Sequence, residues 1–427
     1  MREVYRRTLA VLAFPALVGG AAPAGAAAFQ LQGQSASLLG SAFAGRTADA
    51  YDIGHMFFNP AALGWRAGAG GEAEVVATYI KPDFAYSTRD NPDGLPGAAS
   101  AASTEDAVVP VAYAGADVGR GLRVGVGINA PYGSSTRYDD DWIGRYDATE
   151  TDLVTIDVNP ALGWRVNDRL ALGVGVSAQY AEAALASMVP TDLTPENDRE
   201  LRVEGDDWSY GFNAGAVYRI GGASRVGVSY RRGMSHDLSG DAEFDGDSVG
   251  AGAELNIPAT LSLGISHRLT GRWVVLADAT WTQWSDFEEV AIELDEPLGS
   301  FGDALPPDEH NWDDAWFFSL GARYDHSARW TFRAGATVDR TPTSDDNRTP
   351  RIPDEDRYWV AAGATWRPAV AERLRLDFGY AYIRVADTSI TLAEGLVANP
   401  QVPMDHPVTG EYDSDIHMAS VAANWRF

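Results

Sequence analysis

The chain has 427 residues, a formal net charge of -27 and no cysteine. The absence of cysteine excludes disulfides, thiol catalysis and cysteine-ligated metal sites. The large excess of acidic residues argues against a nucleic-acid partner, because nucleic acids are bound through positive charge.

The amino terminus has the pattern of a targeting segment. Arginines lie at positions 2, 6 and 7, residues 9–18 are apolar, and Ala24-Gly25-Ala26 offers small residues for cleavage. The apolar stretch is too short for a membrane-spanning helix. We therefore predict a signal peptide at residues 1–26.

Residues 27–71 show no strand-like alternation. Ser35–Gly45 is small and apolar, and a second apolar run follows at Phe57–Leu63. A segment of this length is too short to bury a core of its own. Because its composition favours packing inside a larger structure, we predict that residues 27–71 form a hatch within the lumen of the barrel described next.

Residues 72–427 consist of candidate strands that alternate between apolar and polar residues. The last one, Asp413–Phe427, places Phe427, Trp425 and Val421 on one face and mostly polar or small residues on the other. Each candidate is long enough for a tilted crossing of the membrane, which takes ~9–11 residues. The candidates lie at residues 72–87, 107–118, 121–130, 150–166, 169–183, 205–220, 223–237, 254–268, 272–286, 313–326, 329–340, 356–368, 371–385 and 413–427. We predict an all-β fold, an antiparallel transmembrane β-barrel of about 14 strands with the hatch in its lumen.

The connections between the candidate strands alternate between short and long. The short ones are Gly119-Arg120, Asn167-Asp168, Gly221-Gly222, Leu269-Thr270-Gly271, Ser327-Ala328 and Ala369-Val370. The long, polar ones include residues 90–106, 132–149, 184–204 and 288–312. Short turns on one side and long loops on the other are typical of a bacterial outer-membrane barrel. Within one predicted loop, Ala184–Val189 is apolar, which fits either a hydrophobic capture surface or a loop packed over the barrel mouth.

The alternation also predicts which residues face the lipid. In the strand at 272–286, Trp273, Val275, Ala277, Ala279 and Trp281 share the predicted lipid face, and Val274, Leu276, Asp278, Thr280, Thr282 and Trp284 face the lumen. In the strand at 255–267, Leu255, Ile257, Ala259, Leu261, Leu263 and Ile265 are predicted to face lipid. The first lumen face is more apolar than a wide aqueous porin requires.

The chain also contains an ordered set of short motifs: Phe29-Gln30-Leu31, Gly40-x-Ala42-Phe43-Ala44-Gly45, Asn59-Pro60-Ala61, Asn129-Ala130-Pro131-Tyr132-Gly133, Trp142-Ile143-Gly144-Arg145-Tyr146, Val158-Asn159-Pro160-Ala161, Pro258–Gly264 and Thr282–Phe287. This set resembles the FadL/TodX family of outer-membrane transporters for long-chain fatty acids and hydrocarbons. The resemblance spans the mature chain, and the ordered set is more specific than any single motif.

The resemblance implies a passive channel that takes up a hydrophobic small molecule and releases it sideways into the outer leaflet. The exit would be a kink in the third strand at Asn129, Pro131 and Gly133, where proline lacks a donor and glycine weakens pairing. The motif Asn59-Pro60-Ala61, which we call the hatch motif, would lie close to this kink. Ala27 and Phe29 would reach toward the ligand pocket.

Other functions are weighed against this interpretation. A general diffusion porin for small polar solutes would have a wide polar lumen and no hatch. A barrel enzyme would need a catalytic cluster, but the sequence has no H-x-x-x-H pair and no Gly-x-Ser-x-Gly elbow. We predict no catalytic residue, no cofactor and no metal site; Asp245-Gly246-Asp247 is interpreted as an acidic turn. Arg323 and Arg333 are expected to form lumen salt bridges rather than to hold a substrate head group.

The expected partners follow from the same interpretation. They are a fatty acid or hydrocarbon, outer-membrane lipid and lipopolysaccharide. One barrel per chain predicts a monomer.

Overall fold

A computed structural model describes residues 27–68, 70–103, 105–190, 194–299, 301–393 and 404–427. The predicted signal peptide lies outside these residues. Within the described ranges, no helix has both the length and the apolar character needed to cross a membrane. The α-helices are short: α1 at Ala36–Leu39, α2 at His55–Phe58 and α3 at Ala61–Trp65.

Strands make up most of the rest. Their bounds are β1 Glu72–Asp90, β2 Ser100–Ser103, β3 Ala107–Gly119, β4 Leu122–Asn129, β5 Gly133–Arg137, β6 Glu150–Arg165, β7 Leu170–Val189, β8 Arg199–Ile220, β9 Ser224–Arg231, β10 Met234–Phe244, β11 Asp247–Ile257, β12 Thr260–Arg268, β13 Trp273–Thr282, β14 Glu289–Val290, β15 Ile292–Leu294, β16 Asp308–Glu309, β17 Ala315–Asp325, β18 Trp330–Asp339, β19 Arg357–Trp366, β20 Leu374–Val385, β21 Thr388–Leu392 and β22 Val408–Arg426. Short 3₁₀ turns lie at Pro195–Asn197 and Trp284–Asp286.

The strands form a closed antiparallel barrel of 14 crossings, which confirms the predicted fold class. Each crossing pairs with the next along the chain. Five crossings are interrupted within the described residues: the second (β2 and β3), the third (β4 and β5), the seventh (β9 and β10), the eighth (β11 and β12) and the thirteenth (β20 and β21). The barrel closes where β1 pairs with β22, from Glu72 opposite Arg426 to Asp90 opposite Thr409.

The two faces of the wall differ as the alternation predicted. Val174 and Val176 on the outer face are 56% and 59% exposed. In β13, Val274 and Leu276 are buried against the interior, whereas Trp273 is outside. The predicted faces of the strand at 272–286 are therefore confirmed.

The predicted face of the strand at 255–267 is wrong in its first half. Leu255 and Ile257 are buried inside the barrel, whereas Leu261 and Leu263 are exposed on the outside. The crossing is interrupted at Pro258, between β11 and β12. Proline cannot donate to the ladder, and an irregularity of one residue moves every following side chain to the other face.

The prediction that residues 184–189 belong to a loop is also wrong. They continue β7 and pair with β8, ending with Val189 opposite Arg199. Leu185 contributes to an apolar cluster on the inner side with Val203 and Ile292. The ladder thus extends well past the length needed to cross the hydrocarbon, which a count of apolar residues cannot reveal.

The hatch segment lies inside the barrel, and its backbone touches the wall through inward-facing glycines. A Cβ added at Gly173 would lie 2.2 Å from the Ala61 nitrogen, and one added at Gly363 would lie 2.7 Å from the Gly40 Cα. We call this set the glycine ring: Gly125, Gly163, Gly173, Gly215, Gly227, Gly264, Gly321, Gly335, Gly363 and Gly379, each within van der Waals range of hatch atoms. Glycine permits this close approach of two backbones because it has no side chain.

Candidate channel and lateral opening

The third crossing breaks at the predicted kink. β4 ends at Asn129 and β5 begins at Gly133. β3 pairs with β4 only through residues 112–119, and the ladder of β5 runs to β6. Among the described pairings, residues 107–111 of β3 therefore have a neighbour only on the β1 side. We call this interruption of the wall between β3 and β5 the lateral opening.

The lateral opening is bounded on both ends. Toward the short turns, Ala112 is paired with Ile128. Toward the long loops, the Arg137 backbone N–H donates to the Ser103 hydroxyl at 3.1 Å. An interruption with closed ends leaves the barrel intact while opening its side.

The start of the hatch pairs with the kink. We call residues 27–34 the amino-terminal limb. Leu31 N–H donates to the Pro131 carbonyl at 2.8 Å, and Gly133 N–H donates to the Phe29 carbonyl at 2.8 Å. Between these bonds, Gln30 and Tyr132 form an antiparallel bridge. The limb thus satisfies backbone groups of the kink that would otherwise be left unpaired at membrane depth, which hydrocarbon does not tolerate.

Phe29 extends from the limb into an aromatic cluster. Its ring centroid lies 4.8 Å from Trp284, 5.3 Å from Phe287 and 5.9 Å from both Tyr132 and Trp312. Edge-on contacts of this kind stabilise the ring beyond its burial. The limb is therefore held by side-chain packing as well as by its backbone.

Phe29 also lines an apolar space of about 90 Å³, which we call the upper cavity. The apolar residues around it include Leu153, Leu185, Leu238, Leu255, Val290 and Ile292. Toward the long loops lies a larger outer recess of about 690 Å³, whose lining also includes Leu185, Val290 and Ile292. The shared residues make the two spaces adjacent, with the more enclosed one apolar.

Arg351, Asp308 and His310 form one polar group in the lining of the upper cavity, which also includes the carboxylate residues Asp152, Glu204 and Glu254. The Arg351 Nε lies 3.3 Å from Asp308, and its Nη1 donates to the Glu150 carbonyl at 3.0 Å. Burial lowers the pKa of His310, so that its imidazole is neutral at neutral pH. The cation of this group is therefore paired with an acid, and the neighbouring imidazole is neutral.

Ala27 lies at the wall rather than in the upper cavity. Its N–H donates to Asp339 at 2.9 Å, and the Ala28 N–H donates to Asp354 at 2.8 Å. Asp354 is in turn paired with Arg357 at 2.5 Å. Of the two predicted pocket residues, the structure brings Phe29 to the cavity and Ala27 to this charged cluster.

The hatch motif lies against other crossings than the kink. The Asn59 amide donates to the Thr47 carbonyl at 2.7 Å and to the Val228 carbonyl at 3.3 Å, and its oxygen accepts from Ala61 N–H at 3.0 Å. Pro60 and Ala61 pack on Gly173 of β7. The motif thus fixes the hatch to the glycine ring, and the contacts with the kink come from the amino-terminal limb.

A family model described as "Outer membrane protein transport protein (OMPP1/FadL/TodX)" matches residues 17–427. The chain belongs to this family. It is therefore an outer-membrane β-barrel of a transport family, which confirms the resemblance and the predicted location.

This FadL/TodX family member is similar in sequence to proteins of Escherichia coli and Pasteurella multocida. It is 28% identical to a long-chain fatty acid transport protein of Escherichia coli, over 87% of this chain and 90% of that protein. It is 29% identical to a 47 kDa outer membrane protein of Pasteurella multocida, over 89% and 92% of the two chains.

Solved structures share the fold. A Pseudomonas aeruginosa FadL homologue superposes with a TM-score of 0.83 at 24% identity, covering 94% of this chain and 100% of that one. The Ralstonia pickettii toluene transporter TbuX superposes with a TM-score of 0.68 at 19% identity, covering 93% and 99%.

In this FadL/TodX family member, arginine side chains of the barrel wall point into the lumen and bind the hatch. Arg323 pairs with Asp49 of the hatch, and the Arg333 guanidinium lies 4.2 Å from the centroid of the Tyr51 ring. Arg367 donates to the Tyr51 hydroxyl at 2.6 Å. These contacts confirm that Arg323 and Arg333 serve lumen ion pairs and packing. Tyr51 was not singled out from the sequence, because nothing local marks a residue whose partners come from distant strands.

Charge compensation strengthens the Asp49 contact. Burial alone would raise the pKa of the Asp49 carboxyl, but Arg323, with His55, Arg225 and the Ala50 N–H, outweighs burial and holds this pKa well below its ordinary range. Asp49 therefore remains ionised over the whole physiological range. The ion pair between the hatch and the wall is correspondingly persistent.

Proposed function

We propose that this protein is a passive outer-membrane channel for the uptake of long-chain fatty acids or other hydrophobic compounds, with release into the outer leaflet through the lateral opening. The proposal contains no catalytic step and no cofactor. Two similar proteins support the cargo class, one a long-chain fatty acid transport protein and one a toluene transporter. The observation that carries it is the lateral opening beside the upper cavity.

The arrangement of spaces supports a continuous route. Cargo would enter the outer recess, move into the upper cavity and displace Phe29, whose backbone is paired with the kink. Displacing Phe29 would separate the limb from Pro131 and Gly133 and free the opening. A hydrophobic molecule then gains solvation by lipid as it leaves, so the step needs no energy source.

The barrel closes within a single chain through β1 and β22, which supports a monomer surrounded by outer-membrane lipid and lipopolysaccharide. The alternative function is a general diffusion porin. The hatch argues against it, because its backbone packs directly on the glycine ring and fills the lumen that a polar solute would cross.

The two functions are separated by uptake into cells that lack their own fatty acid transporter. We expect such cells to take up labelled oleate, and no labelled small sugar, when they produce this protein. Gly133→Val should impair oleate uptake by filling the kink, and Asn59→Ala should do so by releasing the hatch from the Thr47 and Val228 carbonyls. Gly222→Ala is the matched control, since a Cβ there meets nothing within 4 Å.

The outcomes are distinct. Oleate entry that depends on Gly133 and Asn59 supports lateral release. Normal uptake by both variants contradicts it. Sugar entry without preference for oleate would identify a porin.

A further inference from the structure

Arg46 of the hatch is a buried cation without a carboxylate partner. It is 3% exposed. Its Nη1 donates to the Gln32 side chain at 2.8 Å and its Nη2 to the Thr280 hydroxyl at 2.7 Å, while its Nε has no hydrogen-bond partner. Arg46 takes part in none of the ion pairs found among the described residues. Burial lowers the pKa of Arg46 to about 10, so it remains charged at neutral pH.

Two acids attract Arg46, but neither forms an ion pair with it: they are Asp278 and Asp339. Asp278 is engaged by the backbone N–H groups of Gly45 and Thr47, the residues on either side of Arg46. The Arg46 guanidinium also lies over the ring of Phe317, whose centroid is 4.2 Å away. A buried charge that lacks a close counter-ion is unfavourable, and the imbalance favours an anion at this position.

Arg46 lines a separate space of about 40 Å³, which we call the lower cavity. Its other polar lining residues include Gln30, Gln32, Ser229, Arg231, Thr260, Ser262 and Thr280. Each of these side chains can donate a hydrogen bond and none is a carboxylate, which suits a ligand that only accepts hydrogen bonds. A single water needs at least ~10–15 Å³ on a comparable measure, so the space accommodates a group the size of a carboxylate.

The lower cavity borders the kink and is linked to the upper cavity by the contact between Phe29 and Tyr132. Pro131 and Tyr132 of the kink line it, and Tyr132 also packs against Phe29, which lines the upper cavity. Gln30 in the lower cavity directly follows Phe29 in the chain. A molecule with an apolar tail and a charged head would therefore meet an apolar space on one side of the Phe29–Tyr132 contact and a cationic space on the other.

We propose that the lower cavity binds the carboxylate of an amphiphilic substrate through Arg46, while the apolar tail occupies the upper cavity. This rests on the proposed function, because it assigns an anionic substrate to the same route. Arg231 provides a second, partly compensated cation, since it lies 3.5 Å from Asp157. The substrate class is then a fatty acid rather than a neutral hydrocarbon.

The test compares ligands that differ only in the head group. Binding of decanoate and of decanol is measured with the full-length protein in a non-ionic detergent, for the wild type, Arg46→Met and a matched Arg272→Met control. Arg272 is exposed, and among the described residues its side chain donates to the Tyr324 hydroxyl alone, at 3.4 Å. We expect Arg46→Met to weaken decanoate binding by about tenfold or more, as for loss of a charged hydrogen bond, and to change decanol binding by less than about twofold.

Two further arms keep the result interpretable. Arg46→Lys retains the charge and should recover most of the affinity for decanoate. Acetate should compete with decanoate far more weakly than octanoate does, because it has no tail for the upper cavity. Heat-modifiable mobility of the barrel on gels establishes that each variant is folded.

The proposal is overturned if folded Arg46→Met binds decanoate as the wild type does, or loses decanoate and decanol equally. It is also overturned if acetate competes as well as octanoate, which would indicate a site for free carboxylates. Uptake of labelled oleate by cells tests the proposed function separately, since uptake requires passage through the protein and not only binding to it. Failure of oleate uptake by the wild type with intact decanoate binding would count against the channel and leave the carboxylate site standing.

Discussion

A disulfide between the limb and the kink would prevent the lateral opening from clearing. Gln30 and Tyr132 form a bridge flanked by the hydrogen bonds of Leu31 and Gly133. This is the non-hydrogen-bonded type of antiparallel pair, with Cα atoms about 4.5 Å apart, a separation that accepts a disulfide. The chain has 0 cysteines, so Gln30→Cys with Tyr132→Cys introduces the only thiols.

The structure gives the order of magnitude of the free energy of opening, and the disulfide would prevent opening altogether. Opening breaks the two flanking hydrogen bonds, about 1 kcal/mol each, and removes Phe29 from its aromatic cluster, about 2–3 kcal/mol. The sum of about 4–5 kcal/mol corresponds to an open fraction on the order of one molecule in 10³–10⁴ without cargo. Cargo bound in the upper cavity would shift this equilibrium, and the disulfide would remove the open state.

The assay is oleate uptake by cells that produce the double variant, before and after a membrane-permeant reductant. We expect background uptake in the oxidised state and recovery on reduction, with each single-cysteine variant unaffected by either treatment. The same protein serves as its own control, because the lost Tyr132 side chain is common to both states. Full uptake by the oxidised variant, with the disulfide verified by mass spectrometry, would refute the idea that the limb must leave the kink.

Two further predictions concern how the hatch is held. Gly173→Ala forces a methyl group against the hatch backbone, and this overpacking should destabilise the seated hatch by about 1–3 kcal/mol. Single-channel conductance in lipid bilayers should therefore rise. Gly222→Ala should leave the conductance unchanged. For Asp49, whose pKa is lowered in the folded protein, the stabilisation by Arg323 is complete above the ordinary carboxylate pKa of about 4 and is lost as the pH falls through the lowered value. Conductance should therefore stay low at pH 4 and rise only below it, while Asp49→Asn should conduct at neutral pH. A wild-type conductance step at pH 6 would contradict this assignment.

The strands were predictable because each one is in contact with two different solvents. Alternation in Asp413–Phe427 and Arg272–Asp286 reports lipid on one face and the lumen on the other, and that signal is local. It fails where the geometry departs from period two. At Pro258 the interruption reverses the faces of the preceding residues, and at Ala184–Val189 pairing continues beyond the membrane.

The site was less predictable because its contacts join distant parts of the chain. Proline and glycine marked the kink at Pro131 and Gly133, but nothing local shows that the limb would supply the missing partners. Gly173 lies within a candidate strand, but nothing in that strand shows that the hatch motif packs on it. An unpaired cation such as Arg46 is visible only once the neighbouring acids have been placed.

The glycine ring decides which part of the hatch can move. Backbone packed on backbone offers no rotatable side chain that could yield, so the portion near Ala61 and Gly40 is fixed as firmly as the wall itself. The amino-terminal limb is held instead by a few hydrogen bonds and the Phe29 ring, so it can move while the rest of the hatch stays in place. In a channel built in this way, cargo passes while the part of the hatch that packs on the glycine ring continues to close the lumen. The cell would gain a hydrophobic nutrient and still keep its permeability barrier against toxic polar solutes.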